Sequence, residues 1–230
     1  MAINNILLCL MLARICWVHC SGQSDHSQIP QEQRNYMELV GKLLNKSATL
    51  FLKRGKGAPL MKNKHICWTS RKQSSMAVGY HHTLSFFDKT KVGKDRWQTR
   101  DTYYGVGPRN KLPTVRVDAR YGTTRDQNVS GSYELLFAAR MCFLLGAKEA
   151  LPSSIDEHDP DPVPSSEEKS AKNVSSAEAT PDVCLLWFRD RTQDDDKQEC
   201  MGAFVKHCNP NHGQVYRYRK NVCNAKKKKN

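Results

Sequence analysis

The sequence lacks the short motifs that mark the common catalytic and metal-binding sites. Its 230 residues contain no G-x-S-x-G, no P-loop and no H-E-x-x-H, and no two of the nine cysteines form a C-x-x-C pair. After residue 22 there is also no apolar run of about 20 residues, the length that a membrane-spanning helix requires. We therefore expect neither an enzyme nor a metal or cofactor protein, and no membrane span.

The first 22 residues have the layout of a secretory signal peptide. An apolar run extends from Ile6 to Val18, and the small residues Ser21 and Gly22 follow it. The leader contains three cysteines, Cys9, Cys16 and Cys20. We predict a secreted, extracellular protein from which residues 1–22 are removed.

Six cysteines remain after the leader, an even number. They are Cys67, Cys142, Cys184, Cys200, Cys208 and Cys223. In a secreted chain without C-x-x-C spacing, such a set indicates a disulfide framework. Cys200 and Cys208 lie in a predicted helix about 12 Å apart, beyond the reach of one bridge. Six cysteines allow fifteen pairings in principle.

The formal charge is +13 and is unevenly distributed. Basic residues concentrate in 53–72 and 89–100, and acidic residues in 156–168. Because a signal peptide and disulfides disfavour nucleic acid as a partner, we expect only weak attraction to sulfated glycans or anionic surfaces. The basic tail, 224–230, is predicted to be solvated and disordered.

Three N-x-S/T sequons predict glycosylation at Asn45, Asn128 and Asn173. Asn173 lies in the segment that we expect to be most exposed. Such tripeptides arise often by chance, so the sequence does not decide which of them are occupied.

Short segments of alternating polarity predict a mainly β domain over residues 35–223. A loose segment at 23–34 precedes it, and a short helix from Tyr36 presents one apolar face: Met37, Val40, Leu43 and Leu44. Strands are predicted at 47–53, 65–74, 77–88, 97–106, 112–121, 130–138, 140–147, 183–189 and 214–222. Alternation puts one set of side chains on a common strand face: Val78, Tyr80, His82, Leu84 and Phe86.

Residues 148–182 differ from the strands around them. They combine five prolines with Ser, Glu and Asp and contain almost nothing to bury, so we predict a mobile insertion. A helix follows, with Thr192 as N-cap and Asp194–Asp196 in its first turn. Its predicted buried face is Met201, Phe204, Val205 and Cys208, and Pro210 and Gly213 end it.

These elements favour one architecture. About eight strands, a short N-terminal helix and a helix before the last strand are the plan of an eight-stranded antiparallel up-and-down β-barrel, whose interior can hold one small ligand.

The C-terminal cysteines carry a family resemblance. The cassette Cys184-Leu185-Leu186-Trp187, an acidic spacer, Cys200-x-x-x-Phe204-x-x-x-Cys208, Val215-Tyr216 and Cys223 resembles that of tick salivary lipocalins, the histamine-binding-protein family. The resemblance covers about residues 67–223. It implies the pairs Cys67–Cys223, Cys142–Cys200 and Cys184–Cys208.

The resemblance also implies a function without catalysis. Such proteins are secreted in saliva and sequester a host mediator, such as histamine, serotonin, a leukotriene or a thromboxane, or they block a complement protein. We expect a monomer whose partner is a small host mediator, a lipid or a biogenic amine, with a host protein as an alternative partner.

Two positions depart from the family pattern. Amine-binding members have acids where this chain has Phe143 and Leu185. A buried ammonium without a carboxylate loses several kcal/mol of solvation, which weakens the amine hypothesis. Glu134 or Asp118 could supply a charge from another strand.

Basic residues beside the strands favour an acidic ligand instead. Arg96, Arg116 and Arg140 could pair with a carboxylate at the mouth or interior. The sequence therefore predicts that fatty-acid-like ligands bind at least tenfold more tightly than histamine or serotonin, about 1.4 kcal/mol.

Aromatic and apolar residues on the strands are pocket candidates: Phe51, Trp68, Tyr80, Phe86, Tyr133, Phe137, Phe143, Leu185 and Trp187. His81 and His82 alternate, so at most one points inward, and no metal role is expected for either.

Three hypotheses remain open: a lipocalin that traps a small mediator, a lipocalin scaffold that binds a host protein, and a basic glycan-binding protein. A pocket of roughly 300–1,000 Å³ favours the first, and a barrel filled by its own side chains favours the others.

Overall fold

The computed structural model describes residues 28–57, 60, 64–148, 180–190, 194–209 and 215–228. The predicted signal peptide, Thr192, Pro210, Gly213 and Asn173 lie outside these residues, as does nearly all of the predicted insertion at 148–182.

A closed antiparallel barrel forms the body of the described chain. Ten strands are present: β1 Leu50–Lys56, β2 His65–Ser75, β3 Tyr80–Asp88, β4 Trp97–Arg109, β5 Leu112–Tyr121, β6 Thr124–Arg125, β7 Gly131–Ala139, β8 Cys142–Ala147, β9 Val183–Arg189 and β10 Tyr216–Arg217. Eight of them follow the order β1-β2-β3-β4-β5-β7-β8-β9, and β9 pairs with β1. The two-residue strands β6 and β10 pair antiparallel with the ends of β5 and β1. The predicted fold class, a mainly β eight-stranded up-and-down barrel, is confirmed.

The predicted alternation matches the two faces of the barrel wall. Val115, Val117 and Ala119 of β5 are buried in the interior cluster, whereas Arg116 between them is exposed. On β3, His82, Leu84 and Phe86 are buried in the same way. Val78 does not join them, because β3 begins at Tyr80 and Val78 lies 89% exposed in the preceding turn.

Helix α1, Gln31–Leu44, covers one end of the barrel. Its buried residues are the four predicted ones, and they belong to the interior hydrophobic cluster. The helix begins five residues before Tyr36, so part of the segment predicted to be loose is helical. Pro30 precedes the first turn. An N–H at this position would have no partner within the helix, so the N–H that proline lacks costs no hydrogen bond.

Helix α2, Asp194–Cys208, packs on the outside of the barrel. It contacts β7, β8 and β9, and its buried residues cluster with outward side chains of β8 and β9: Leu144, Leu186 and Phe188. Both faces of these two strands are therefore buried, which explains their nearly continuous apolar sequence. Val205 does not belong to the buried face as predicted, since it is 57% exposed.

Three disulfides join the elements: Cys67–Cys223, Cys142–Cys200 and Cys184–Cys208. These are the pairs that the family resemblance implies. Two of them attach α2 to β8 and β9. The third ties β2 to the C-terminal segment.

The C-terminal segment differs from its prediction. The prediction of a strand over 214–222 is wrong, because β10 has only two residues and helix α3, Lys220–Lys228, follows it. The helix also includes most of the segment predicted to be a solvated tail. Cys223 of α3 is bonded to Cys67, which has a φ of +62° at a register shift in β2. This bulge lets Cys67 face α3 while the next residue, Trp68, faces the interior.

No helix within the described ranges is long and apolar enough to span a membrane.

The disulfides are expected to differ in the stability they provide. Cys67–Cys223 joins residues 156 positions apart, and Cys184–Cys208 joins residues 24 apart. Loop-closure entropy alone predicts roughly 5 and roughly 3.5 kcal/mol of stabilisation, respectively. Urea unfolding of the two Cys→Ala pairs should show the larger loss for Cys67→Ala/Cys223→Ala. Equal losses, or a free thiol among the six in non-reducing peptide mapping, would contradict this framework.

Candidate functional site

The barrel interior holds a small apolar cavity. Its volume is about 20 Å³, which is room for roughly one water molecule. The lining residues are Leu52, Trp68, Leu84, Tyr104, Val117, Val129, Tyr133, Leu145, Leu185 and Trp187. None of them carries a charge. The barrel is thus filled almost completely by its own side chains.

Large aromatic side chains account for this filling. The Trp68 indole stacks on Phe86 with ring centroids 4.3 Å apart, and His65 lies 4.9 Å from the Phe86 ring. The Trp68 indole N–H donates to the His65 carbonyl at 3.2 Å. The rings of Trp68 and Phe86 are nearly inaccessible to solvent. Space for a ligand can open only if such side chains move.

A line of hydrogen bonds runs from helix α1 to the cavity wall. The His82 Nε2 atom lies 2.9 Å from the Leu44 carbonyl oxygen, and its Nδ1 lies 2.9 Å from the Ser70 hydroxyl. The same Ser70 hydroxyl lies 3.1 Å from the hydroxyl of Tyr104, which lines the cavity. We call this set of residues 44, 70, 82 and 104 the relay.

The direction of each bond in the relay follows from the charge of His82. Burial lowers the pKa of His82 to about 4, although its bond to Leu44 acts in the opposite direction, so the ring is neutral near pH 7. A carbonyl only accepts, so Nε2 carries the hydrogen and Nδ1 accepts from Ser70. Ser70 has no second hydrogen, and therefore Tyr104 donates to Ser70.

Tyr133 uses its hydrogen in the same way. Its hydroxyl donates to the Val129 carbonyl at 3.0 Å. Burial raises the pKa of Tyr104 and of Tyr133 to about 12, so both phenols stay protonated near pH 7. Each hydroxyl has donated its one hydrogen to the protein. What remains for a ligand at these two positions is an acceptor lone pair.

A turn covers the cavity at the end opposite α1. Val129 belongs to this cover turn, residues 126–130, and is itself buried. The carboxylate of Asp126 accepts from the Arg100 Nε at 2.7 Å and from the Asn128 backbone N–H at 3.1 Å. The Asp126 carbonyl accepts from the N–H groups of Val129 and Ser130. The Arg100–Asp126 ion pair thus anchors the cover turn to β4.

The structure sorts the predicted pocket candidates into three groups. Four line the cavity: Trp68, Tyr133, Leu185 and Trp187. Phe86 and Phe143 are buried in the interior cluster beside it. Three lie elsewhere and correct the prediction: Phe51 packs on Tyr218, Phe137 on Tyr36, and Tyr80 beside Gly41 of α1. Alternation identifies a strand face but not the depth of a residue along the barrel.

None of the predicted charged residues lines the cavity. Arg116, Arg140 and Glu134 are exposed. Arg96 donates to the Lys91 carbonyl at 3.0 Å, and Asp118 accepts from Arg120 at 2.8 Å. None of these arginines is therefore placed to pair with a ligand carboxylate in this cavity, and neither Glu134 nor Asp118 is placed to hold an amine there.

Six lining residues were absent from the sequence-based candidates: Leu52, Leu84, Tyr104, Val117, Val129 and Leu145. The alternation over β3 and β5 already placed Leu84 and Val117 on an inward face. Tyr104 lies two residues after the fully buried Thr102 on β4, so the same alternation places it on the inward face. Val129 had no such signal, because it lies in a turn.

Two predicted sequons fall on exposed asparagines, Asn45 and Asn128. The Oδ1 atom of Asn45 accepts from Lys72 at 2.8 Å and from Ser75 at 3.0 Å. No cluster of three or more His, Cys, Asp or Glu side chains able to hold a metal is found among the described residues.

Comparison with known proteins adds similarity at the level of the fold. No protein-family model matches the sequence, and no curated protein matches it. The chain is similar to japanin from Rhipicephalus appendiculatus bound to cholesterol, with 15% identity and a TM-score of 0.43 over 76% of this chain and 95% of that one. It is also similar to apocrustacyanin C2, with 9% identity and a TM-score of 0.46 over 83% and 86%. At these values the likenesses carry no argument about function. The strand order is that of an eight-stranded up-and-down barrel, the architecture that lipocalins have.

Acidification is expected to destabilise the protein through His82. The pKa of a histidine is ordinarily 6.5, and burial lowers that of His82 to about 4. Between these values only the unfolded chain binds the proton, so the free energy of unfolding falls with the pH, by on the order of 3 kcal/mol in total. Repulsion from Lys72 and from His81 also lowers the pKa of His82.

Urea unfolding between pH 7 and pH 4 tests this effect. His82→Gln should lose less stability over the range than the wild type, and also less than His81→Gln, which retains the buried His82 ring. Burial raises the pKa of Asp88, but the hydrogen bonds from Thr90 outweigh it and lower that pKa. Asp88 is present in all three proteins, so its contribution cancels in the comparison. Equal acid sensitivity of His82→Gln and the wild type would contradict the assignment.

The substitution Asp126→Asn is expected to loosen the cover turn. The substitution removes the charge-assisted bond from Arg100, and such bonds contribute about 1.5–3 kcal/mol. Amide hydrogen exchange over residues 126–130 should accelerate accordingly. Glu38→Gln, which breaks an exposed ion pair with Lys42 on α1, should leave that exchange unchanged. Unaltered exchange in Asp126→Asn would show that other bonds hold the turn.

Proposed function

We propose that this protein is a secreted, non-enzymatic lipocalin that sequesters a small neutral lipid with a hydroxyl group, a host inflammatory mediator at a feeding site. The proposed ligand class rests on one observation: Tyr104 and Tyr133 line an uncharged cavity, and each hydroxyl can only accept a hydrogen bond from a ligand. The cysteine cassette supports the feeding-site context through its resemblance to tick salivary proteins.

The cavity chemistry favours an alcohol over both charged alternatives. An alcohol brings the hydrogen that Tyr104 or Tyr133 can accept. A carboxylate has no hydrogen to give and would meet no cation among the lining residues. A protonated amine has hydrogens but would be buried without a carboxylate, which is strongly unfavourable. Leu185 and the nearby Phe143 supply the apolar wall where amine-binding relatives have acids.

Binding also requires the barrel to open. A cavity of about 20 Å³ is far below the roughly 300 Å³ at which small-molecule pockets begin. The cover turn is the natural moving part, because one ion pair and a few hydrogen bonds hold it to the barrel. Ligand entry then combines displacement of Val129 with rearrangement of the aromatic side chains.

The filled interior favours a second candidate function. A barrel that needs no ligand can serve as a rigid scaffold whose outer surface binds a host protein, such as a complement component. The small cavity is the observation behind this alternative. The two functions differ in whether any small molecule binds inside.

The ligand class can be tested with a matched pair of probes. 1-Decanol and its methyl ether differ in the single hydrogen that the tyrosines are proposed to accept. Titration of a Trp97→Phe variant, in which the described tryptophans are Trp68 and Trp187, should show by fluorescence a tighter binding of the alcohol. The difference should be roughly fivefold to tenfold, since one hydrogen bond contributes about 1–1.5 kcal/mol. Tyr104→Phe should reduce this preference, and Tyr80→Phe, whose hydroxyl lies outside the cavity, should preserve it.

Decanoate and histamine complete the comparison. Tighter barrel binding of either one than of the alcohol would overturn the proposed ligand class. If none of the four molecules changes the tryptophan fluorescence, the scaffold function becomes the better proposal.

A further inference from the structure

A second and larger cavity lies outside the barrel, beside the Cys67–Cys223 disulfide. Its volume is about 670 Å³, within the range of small-molecule sites. Four cationic side chains line it: Lys89, Arg217, Arg219 and Lys226. Ile66 of β2 and Val222 of α3 contribute apolar wall. We call this cavity the basic cleft.

No described residue neutralises the positive charge of the basic cleft. Among the lining residues that the structure describes there is no carboxylate. Within the described part of the chain, Lys89, Arg217 and Arg219 form no ion pair, and Lys226 lies over the Phe87 ring at 5.3 Å. Arg217 is moreover paired in register with Arg54 of β1, and like charges placed opposite each other are unfavourable. An anion would relieve this repulsion.

The neighbourhood of Arg54 shows the same excess of positive charge. Burial and the adjacent Arg217 both lower the pKa of the Arg54 guanidinium. Burial, followed by repulsion from Lys197, Lys220 and Arg54, lowers the pKa of Lys53, although the Asp190 carboxylate acts in the opposite direction. The field of several cations therefore extends along the side of the barrel on which the cleft opens.

The walls of the cleft are held in place by a covalent bond. Cys67 of β2 and Cys223 of α3 are both lining residues, so the disulfide joins one wall to the other. The Tyr216 hydroxyl, from the strand that precedes α3, accepts from the Cys67 backbone N–H at 3.0 Å. Such fixed walls reduce the ordering that a ligand must impose when it binds.

We propose that the basic cleft binds an amphipathic anion, with its carboxylate, sulfate or phosphate on the arginines and its apolar chain against Ile66 and Val222. The arginine fork suits such head groups. This site is separate from the barrel cavity and takes the charged lipids that the uncharged interior excludes. The two sites differ in their residues and in the charge of their ligands.

Calorimetric titration with decanoate and with decyl sulfate below its micelle concentration tests the proposal. Both should bind the wild type, and Arg217→Ser/Arg219→Ser should weaken them at least tenfold. The matched control is Arg71→Ser/Arg116→Ser, which removes the same charge from exposed positions on β2 and β5 outside the cleft. It should change the affinity less than twofold. Added salt should weaken binding to the wild type.

The outcomes distinguish specific binding in the basic cleft from a general effect of positive charge. Equal losses in the two double variants, or no binding of either probe to the wild type, would overturn the proposal. So would binding of inorganic sulfate as tight as that of decyl sulfate, since the apolar wall would then contribute nothing. Tyr104→Phe should leave decanoate binding in the cleft unchanged, so failure of the barrel proposal would not be confused with failure of this one.

Discussion

The pairing of β1 with β9 is the constraint on which the rest of the structure depends. It joins the first and last of the eight barrel strands through a ladder from Leu50↔Arg189 to Lys56↔Cys184, with one bulge at Leu52/Arg54. Closure removes both sheet edges and turns one face of every strand toward a common axis. The inward side chains of β2, β5 and β8 thereby meet in a single core. The bonds Cys184–Cys208 and Cys142–Cys200 hold α2 against this same region of the wall.

Closure also separates the electrostatics of the molecule into two environments. The residues that line the interior cavity are uncharged, and Arg100, which lies on the inward face of β4, is paired with Asp126 of the cover turn. A chain of formal charge +13 therefore offers an uncharged cavity with phenolic acceptors inside and a basic cleft outside. The two ligand classes proposed for these sites differ in charge, because a buried unpaired charge is far more costly than an exposed one.

The sequence predicted the fold well and the site only in part. Alternation placed β5 at the residues where it is found, because a closed barrel buries every second side chain. The continuous apolar run placed β9, because α2 buries the outer face of that strand as well. The same alternation indicates that Arg116 faces outward, because it lies between two inward valines. The helix α3 was missed, because its few apolar residues give no strong pattern and a disulfide holds it in place. The narrowness of the interior depends on how Trp68 and Phe86 stack, which no local pattern encodes.

The relay has an evolutionary consequence. Ser70, His82 and Tyr104 are buried and satisfy one another in series, and His82 also caps the last turn of α1 through Leu44. Loss of any one member would leave a polar partner unsatisfied, whereas joint replacement by apolar residues can be nearly neutral. Their mutational effects should therefore be epistatic, and the three positions should covary among homologous chains. A lineage could change the polarity of its ligand by exchanging the set as a unit while keeping the barrel intact.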